Sequence, residues 1–127
     1  MEEINYITDE EREKCQKVAG AFAELYNLTD TIVVDAGKYG FVKLQYYQEP
    51  RGFEVMLTYT DSKKMFEDLW QDWFEEKIML EVEGTPLEEL EYEEIFARLS
   101  KEKQMEIMSK KSYFEEKSKM IPSPNYL

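Results

Sequence analysis

At 127 residues, with 28 acidic and 16 basic side chains, the chain suits a single domain with its own core and carries a net charge of −12. Such a field repels phosphates and anionic headgroups, so nucleic acid and membrane surfaces are not expected as partners and a basic protein is favoured. With no histidine and one cysteine, Cys15, an internal disulfide and a zinc site are excluded, and the commonest general base is missing.

A 43% hydrophobic content, 14% of the chain being aromatic, argues for a packed domain despite the charge. There is no apolar run of about 18 residues, and the start MEEINYITDEE lacks the pattern of a signal peptide, so a cytoplasmic protein is expected. Lysine outnumbers arginine 13 to 3, and Ile, Tyr and Glu are frequent, a composition associated with AT-rich bacterial genomes. One domain over 1–120 with a flexible tail at 121–127 is the expected organisation.

In chain order, Thr8-Asp-Glu-Glu11 is a capping-box pattern that opens a helix over about 9–28. Cys15, Val18, Ala19, Phe22, Leu25 and Tyr26 share one face of it, which makes Cys15 a small buried hydrophobe rather than a nucleophile. Residues 31–60 read as three antiparallel strands. A turn at Glu49-Pro-Arg-Gly52 pairs Tyr46 with Val55, Leu44 with Leu57 and Val42 with Tyr59. A three-residue loop with Gly40 in the left-handed region pairs Ala36 with Val42, Val34 with Leu44 and Ile32 with Tyr46. Both turns gather the apolar side chains on one face, and that face is predicted to lie under the helices. The other face, with Thr31, Val33, Asp35, Lys43, Gln45 and Met56, is mixed.

Asp61 or Ser62 then caps the strongest helix, 62–80. Phe66, Leu69, Trp70, Trp73 and Phe74 recur at i, i+3, i+4, i+7 and i+8, Leu80 extends the stripe, and Glu67, Asp68, Asp72, Glu75 and Glu76 form the opposite side. The segment 78–84 reads as helix or strand, with helix to about Leu80 favoured and Gly84 as the stop. Thr85-Pro-Leu-Glu88 restarts a helix whose face is Tyr92, Ile95, Phe96 and Leu99. Ser100 caps a last helix over about 101–119 with two weak stripes: Met105, Met108 and Tyr113, and Ile107, Phe114 and Ile121. Two stripes imply either a helix caught between its own domain and a partner, or a break near Ser109–Ser112.

For chemistry, carboxylates are the only candidates. Asp68, Asp72, Glu75 and Glu76 lie at i, i+4, i+7 and i+8, but no Asp-x-Asp-x-Asp-Gly loop accompanies them and the glycines make no phosphate loop. No catalytic residue, metal or cofactor is expected, and the chain is predicted not to be an enzyme. A carboxylate-based enzyme is the least favoured reading. The order helix, three strands, helix over about 9–80 resembles that of double-stranded-RNA-binding domains, with Lys63 and Lys64 opening the second helix. That resemblance stops at element order: Glu67, Asp68 and Asp72 follow where phosphate binding needs further cations.

The predicted fold is therefore α+β, a three-stranded antiparallel meander packed by two helices on one face, plus a C-terminal helical pair. The predicted function is protein–protein interaction, in its sharpest form an inhibitor or immunity-type protein presenting carboxylates to a basic partner. Residues 61–99 hold 13 acidic and 4 basic groups, net −9, and the candidate acidic face is Asp68, Asp72, Glu75, Glu76, Glu89 and Glu93. The alternative is a homodimer made through the C-terminal helices at Ile107, Phe114 and Ile121. The plainest reading of the acidity is that it keeps the chain in solution.

Overall fold

The structure, a computed structural model, describes residues 6–25 and 30–120. Its order is α1 (Asp9–Glu24), β1 (Thr31–Asp35), β2 (Phe41–Gln48), β3 (Arg51–Tyr59), α2 (Ser62–Val82), α3 (Tyr92–Arg98) and α4 (Lys101–Ser118), with 3-10 turns at Gly37–Tyr39 and Pro86–Glu89. The sheet is an antiparallel meander in the order β1-β2-β3, so the α+β class and the helix order match the expectation.

Local chemistry accounts for most of the boundaries. Thr8, Asp61 and Ser100 each accept a hydrogen bond from the backbone N–H three residues on, at 3.1, 3.0 and 3.2 Å, which satisfies one of the orphan donors at each helix start. Glu11 does not reach back to complete a capping box. Its carboxylate instead accepts from the Ser62 N–H at 2.7 Å and the Ser62 hydroxyl at 2.9 Å, tying α1 to the start of α2. Those two donors, the backbone one foremost, lower its pKa. α1 ends at Glu24, and the predicted continuation through Tyr26 to 28 lies outside the described residues. The segment 78–82 is helix, and Gly84, at φ 82°, takes the conformation that stops it. The restart is a 3-10 turn capped by Thr85 followed by the separate short helix α3, rather than one continuous helix.

One hydrophobic core runs through the helical layer. α2 supplies Met65, Leu69, Trp70, Trp73, Ile78 and Val82, while Leu80, predicted to extend the stripe, is exposed. Phe114 of α4 stacks on Phe66 with ring centroids 4.6 Å apart and lies 6.4 Å from both Phe22 and Trp70. α4 is unbroken through Ser109–Ser112. The stripe proposed as an oligomer surface is therefore corrected: Ile107 and Phe114 are wholly buried in the chain's own core, and Ile121 lies outside the described residues. Met105, Met108 and Tyr113 are the large hydrophobic side chains of α4 left exposed.

The sheet brings the larger correction. The turn at Glu49–Pro50 is two residues long, with a cis peptide bond, so Gln48 pairs with Arg51, Tyr46 with Phe53 and Leu44 with Val55. A bulge beside Lys43 and Leu44 then changes the alternation, setting Thr58 rather than Tyr59 opposite Val42. On the other side Ile32 faces Leu44 and Val34 faces Val42. Gly40 adopts φ 105° outside the left-handed helical region, and a Cβ there would stand 2.2 Å from the Tyr59 carbonyl, so only glycine permits the close approach. The apolar set Ile32, Val34, Val42, Leu44, Tyr46, Phe53 and Val55 does share one face, but the helices lie under the other. Phe41, Tyr59, Thr31 and Lys43 are the buried strand residues. The aromatic stripe of α2 is consumed by the other helices, so the side left to meet the sheet is its acidic one. The complement to that is the strand face bearing a lysine and hydroxyls.

Candidate functional site

Lys43, in the middle of β2, is the hinge of this arrangement. Its side chain is 9% exposed, and its Nζ lies 2.7 Å from Oδ2 of both Asp68 and Asp72, one turn apart on α2. The Tyr59 hydroxyl donates a hydrogen bond to the same Asp68 oxygen. Burial pulls the Lys43 pKa down, but the hydrogen bonds that its ammonium donates to the two aspartates, with their charge, outweigh it and the ammonium titrates above its ordinary value. Burial dominates at Asp72 and raises its carboxyl, with Lys43 opposing. Burial and the bond to Asp68 push the Tyr59 phenol upward.

A second polar clasp holds the other end of the sheet. The Arg12 guanidinium makes a two-pronged pair with Asp35, donates to the Gly37 carbonyl at 3.1 Å and lies 5.8 Å from the Phe41 ring centroid. The Arg12 donor, joined by the Gly37 N–H, keeps the Asp35 carboxyl below its usual range.

Six residues were expected to form one acidic face. Asp68 and Asp72 are instead engaged by Lys43, so they are structural partners and not free charges. Glu75 and Glu76 follow on α2 and line an open cleft of about 460 Å³ with Asp30, Thr31, Lys43, Gln45, Asp72 and Tyr92. Glu75 accepts a hydrogen bond from Gln71 at 3.0 Å. Glu89 ends the 3-10 turn and Glu93 begins α3 beside Tyr92, both exposed. Among the described residues Glu76, Glu89, Glu91, Glu93 and Glu94 take part in none of the salt bridges, which gather instead at Arg12, Lys14, Lys43, Lys77 and Lys103. Lys77, on α2, is held between Glu81 and Glu106 at 3.1 Å each, away from this cleft.

Sequence reasoning missed Asp30, Lys43 and Tyr59 as parts of the site. A lone lysine amid apolar strand residues was the available signal, since burying an ammonium demands acidic partners. A larger groove, about 1010 Å³, runs between α1, α2 and α4; its lining mixes lysines 14, 17, 63, 111 and 119 with Glu11, Asp61, Glu67 and Glu115, so no single charge sign defines it. Among the described residues no group of three or more acidic or cysteine side chains is placed to hold a metal ion, and no helix is long and apolar enough to cross a membrane. Compared with known proteins, the chain matches no family model, no curated protein and no solved structure.

The buried titratable groups fix the alkaline behaviour. Burial raises the Cys15 thiol from 9.0 to about 11, and Tyr59 and Lys43 are raised as well. Each holds its proton more tightly folded than unfolded, so its stabilising effect is complete below the unfolded pKa and is lost as pH climbs toward the folded one. Stability should start to fall near pH 9, where unfolded Cys15 ionises, and keep falling beyond pH 10 as the other two join. The thiol accounts for about 2 to 3 kcal/mol of this by pH 11. Urea midpoints measured from pH 8 to 11 check it: Cys15→Ala should flatten the slope between pH 9 and 10, and an unchanged slope would refute the assignment.

Proposed function

We propose that this chain is a non-enzymatic protein-interaction domain of the inhibitor or immunity type. It binds a basic protein partner through carboxylates around the cleft between β1, α2 and α3. The observation that carries the reading is the uncompensated run at Glu76, Glu89 and Glu93, without a counter-ion among the described residues, on a chain whose segment 61–99 is net −9. Like charges gathered without compensation cost self-repulsion, and a cationic partner would relieve it. Asp30, Glu75 and Glu76 line the cleft with Tyr92 of α3, Glu93 follows Tyr92 on that helix, and Glu89 closes the 3-10 turn before it. Charge of this kind acts mainly on encounter rate and on partner choice.

The test is a charge reversal confined to residues free of structural duty. Glu76→Lys, Glu89→Lys and Glu93→Lys together should change folding stability by no more than about 0.5 kcal/mol per site. Association with a partner captured on the immobilised wild-type chain should slow by about tenfold or more at low salt, and its salt dependence should flatten. Stopped-flow rates at two or more ionic strengths read this directly. A partner that is acidic, or one bound at the same rate and with the same salt response after reversal, would reject the proposal.

A further inference from the structure

Among the described residues, no element covers the outer face of the sheet. Its central cross-strand pairs are Ile32–Leu44, Val34–Val42, Leu44–Val55 and Tyr46–Phe53, which hold no ionisable group except the Tyr46 hydroxyl. Phe53 is 57% exposed, Val55 64%, Ile32 39% and Val34 37%. The Tyr46 and Phe53 rings pair at 5.3 Å, making a continuous aromatic ridge at the hairpin end. With the half-buried Val42, Leu44 and Tyr46, these side chains form a contiguous, mostly apolar patch rather than scattered exposed residues, the kind of surface that marks an interaction site.

We infer that this face is the interface of a homodimer, two copies stacking their sheets about a twofold axis into a six-stranded sandwich. A twofold contact brings a patch against itself, so the patch must be self-compatible. On a chain of net charge −12 the acidic surfaces fail that condition, and a sheet face whose central pairs carry no charge meets it. Twisted sheets of this kind pack face to face at a spacing of about 10 Å, with strand directions within roughly 30° of each other. The contact removes from water the four exposed side chains that no other described residue covers. The helical layer and the acidic cleft lie across the sheet from it, so each copy keeps its carboxylates open, and the dimer does not depend on the proposed basic partner.

Sedimentation equilibrium of the full chain at about 100 µM decides the matter, with two readouts. The wild-type mass should be twice 15.2 kDa. Raising salt from roughly 50 to 500 mM should strengthen the dimer, because two chains of net −12 repel each other beyond the apolar contact. Val55→Lys, at a solvent-exposed position, should weaken dimerisation by about 30-fold or more while circular dichroism stays native. Met105→Lys, an equally exposed change on α4 that lies off the sheet, should leave the dimer intact. A wild-type mass of 15.2 kDa at both salt concentrations overturns the inference. A dimer that survives Val55→Lys but dissolves with Met105→Lys overturns it too, moving the contact to α4.

Discussion

Phe114→Ala is expected to destabilise the chain by about 3 to 5 kcal/mol, the range for emptying an aromatic site in a closed core. Its ring is fully buried and pairs with three others, Phe66 in a near-parallel stack, Trp70 stacked at a longer distance and Phe22 tilted. These come from α1 and α2, so the loss would be felt across the junction of three helices. The cavity cannot close cheaply, because Trp70 is already committed to Trp73 at 5.3 Å and to Phe74 at 6.2 Å. For a domain of this size that cost corresponds to a melting temperature lower by roughly 10 to 20 °C. Met108→Ala on the exposed side of the same helix should cost about 0.5 kcal/mol or less. Thermal and urea denaturation of the two variants side by side provide the check. A Phe114→Ala protein melting within about 2 °C of wild type would mean that the ring does not hold α4 to the body.

That contrast shows how far the amino-acid order can be read. The α2 stripe was legible because five large side chains, Phe66 to Phe74, repeat with helical period over about two turns. The three helix caps were legible because Thr8, Asp61 and Ser100 act within three residues of themselves. The α4 stripes were harder. Two of comparable strength were visible, and choosing between them needed the position of Phe22 and Phe66, which are 92 and 48 residues away in sequence. The sheet failed for a similar reason. Alternation sorts side chains onto two faces but does not say which face is covered. A two-residue turn in place of a four-residue one slid the register by two, which preserved the sorting, and the bulge then removed Tyr59 and Leu57 from the apolar set. What decided the covered face was Lys43, whose acidic partners stand 25 and 29 residues on. The candidate site divides along the same line. The clustering of Asp72, Glu75 and Glu76 follows from helical spacing alone, whereas the engagement of Asp68 and Asp72 by a strand lysine is a tertiary fact.

Lys43→Met is expected to be the most damaging single change in the sheet, costing about 3 kcal/mol at pH 7. Breaking a buried ion pair by removing one partner costs about 3 to 5 kcal/mol, because the remaining charge is left uncompensated. The low end applies, since the side chains of Asp68 and Asp72 keep 34% and 33% of their surface in solvent. Methionine conserves the length of the stem, so lost packing contributes little and the effect is electrostatic. Two carboxylates one helical turn apart would then face each other with only the Tyr59 hydroxyl for company. Burial already raises Asp72, and removing the opposing ammonium raises it further. A carboxyl raised in the folded state lends stability that is complete below its unfolded pKa and is lost as pH rises through the folded one. The penalty of Lys43→Met should therefore be smallest near pH 4 and grow toward pH 7, and adding Asp72→Asn should recover part of it. The damage should also be local. Lys43 clasps β2 to α2, while α1 and α4 are joined through Phe22 and Phe114. Amide exchange should accordingly quicken in β1, β2 and β3 well before it does in the helices. A variant within about 1 kcal/mol of wild type at pH 7, or a penalty that shrinks as pH rises, would show that the lysine is a bystander and that the sheet is held by the Arg12–Asp35 clasp and the Phe41 and Tyr59 rings alone.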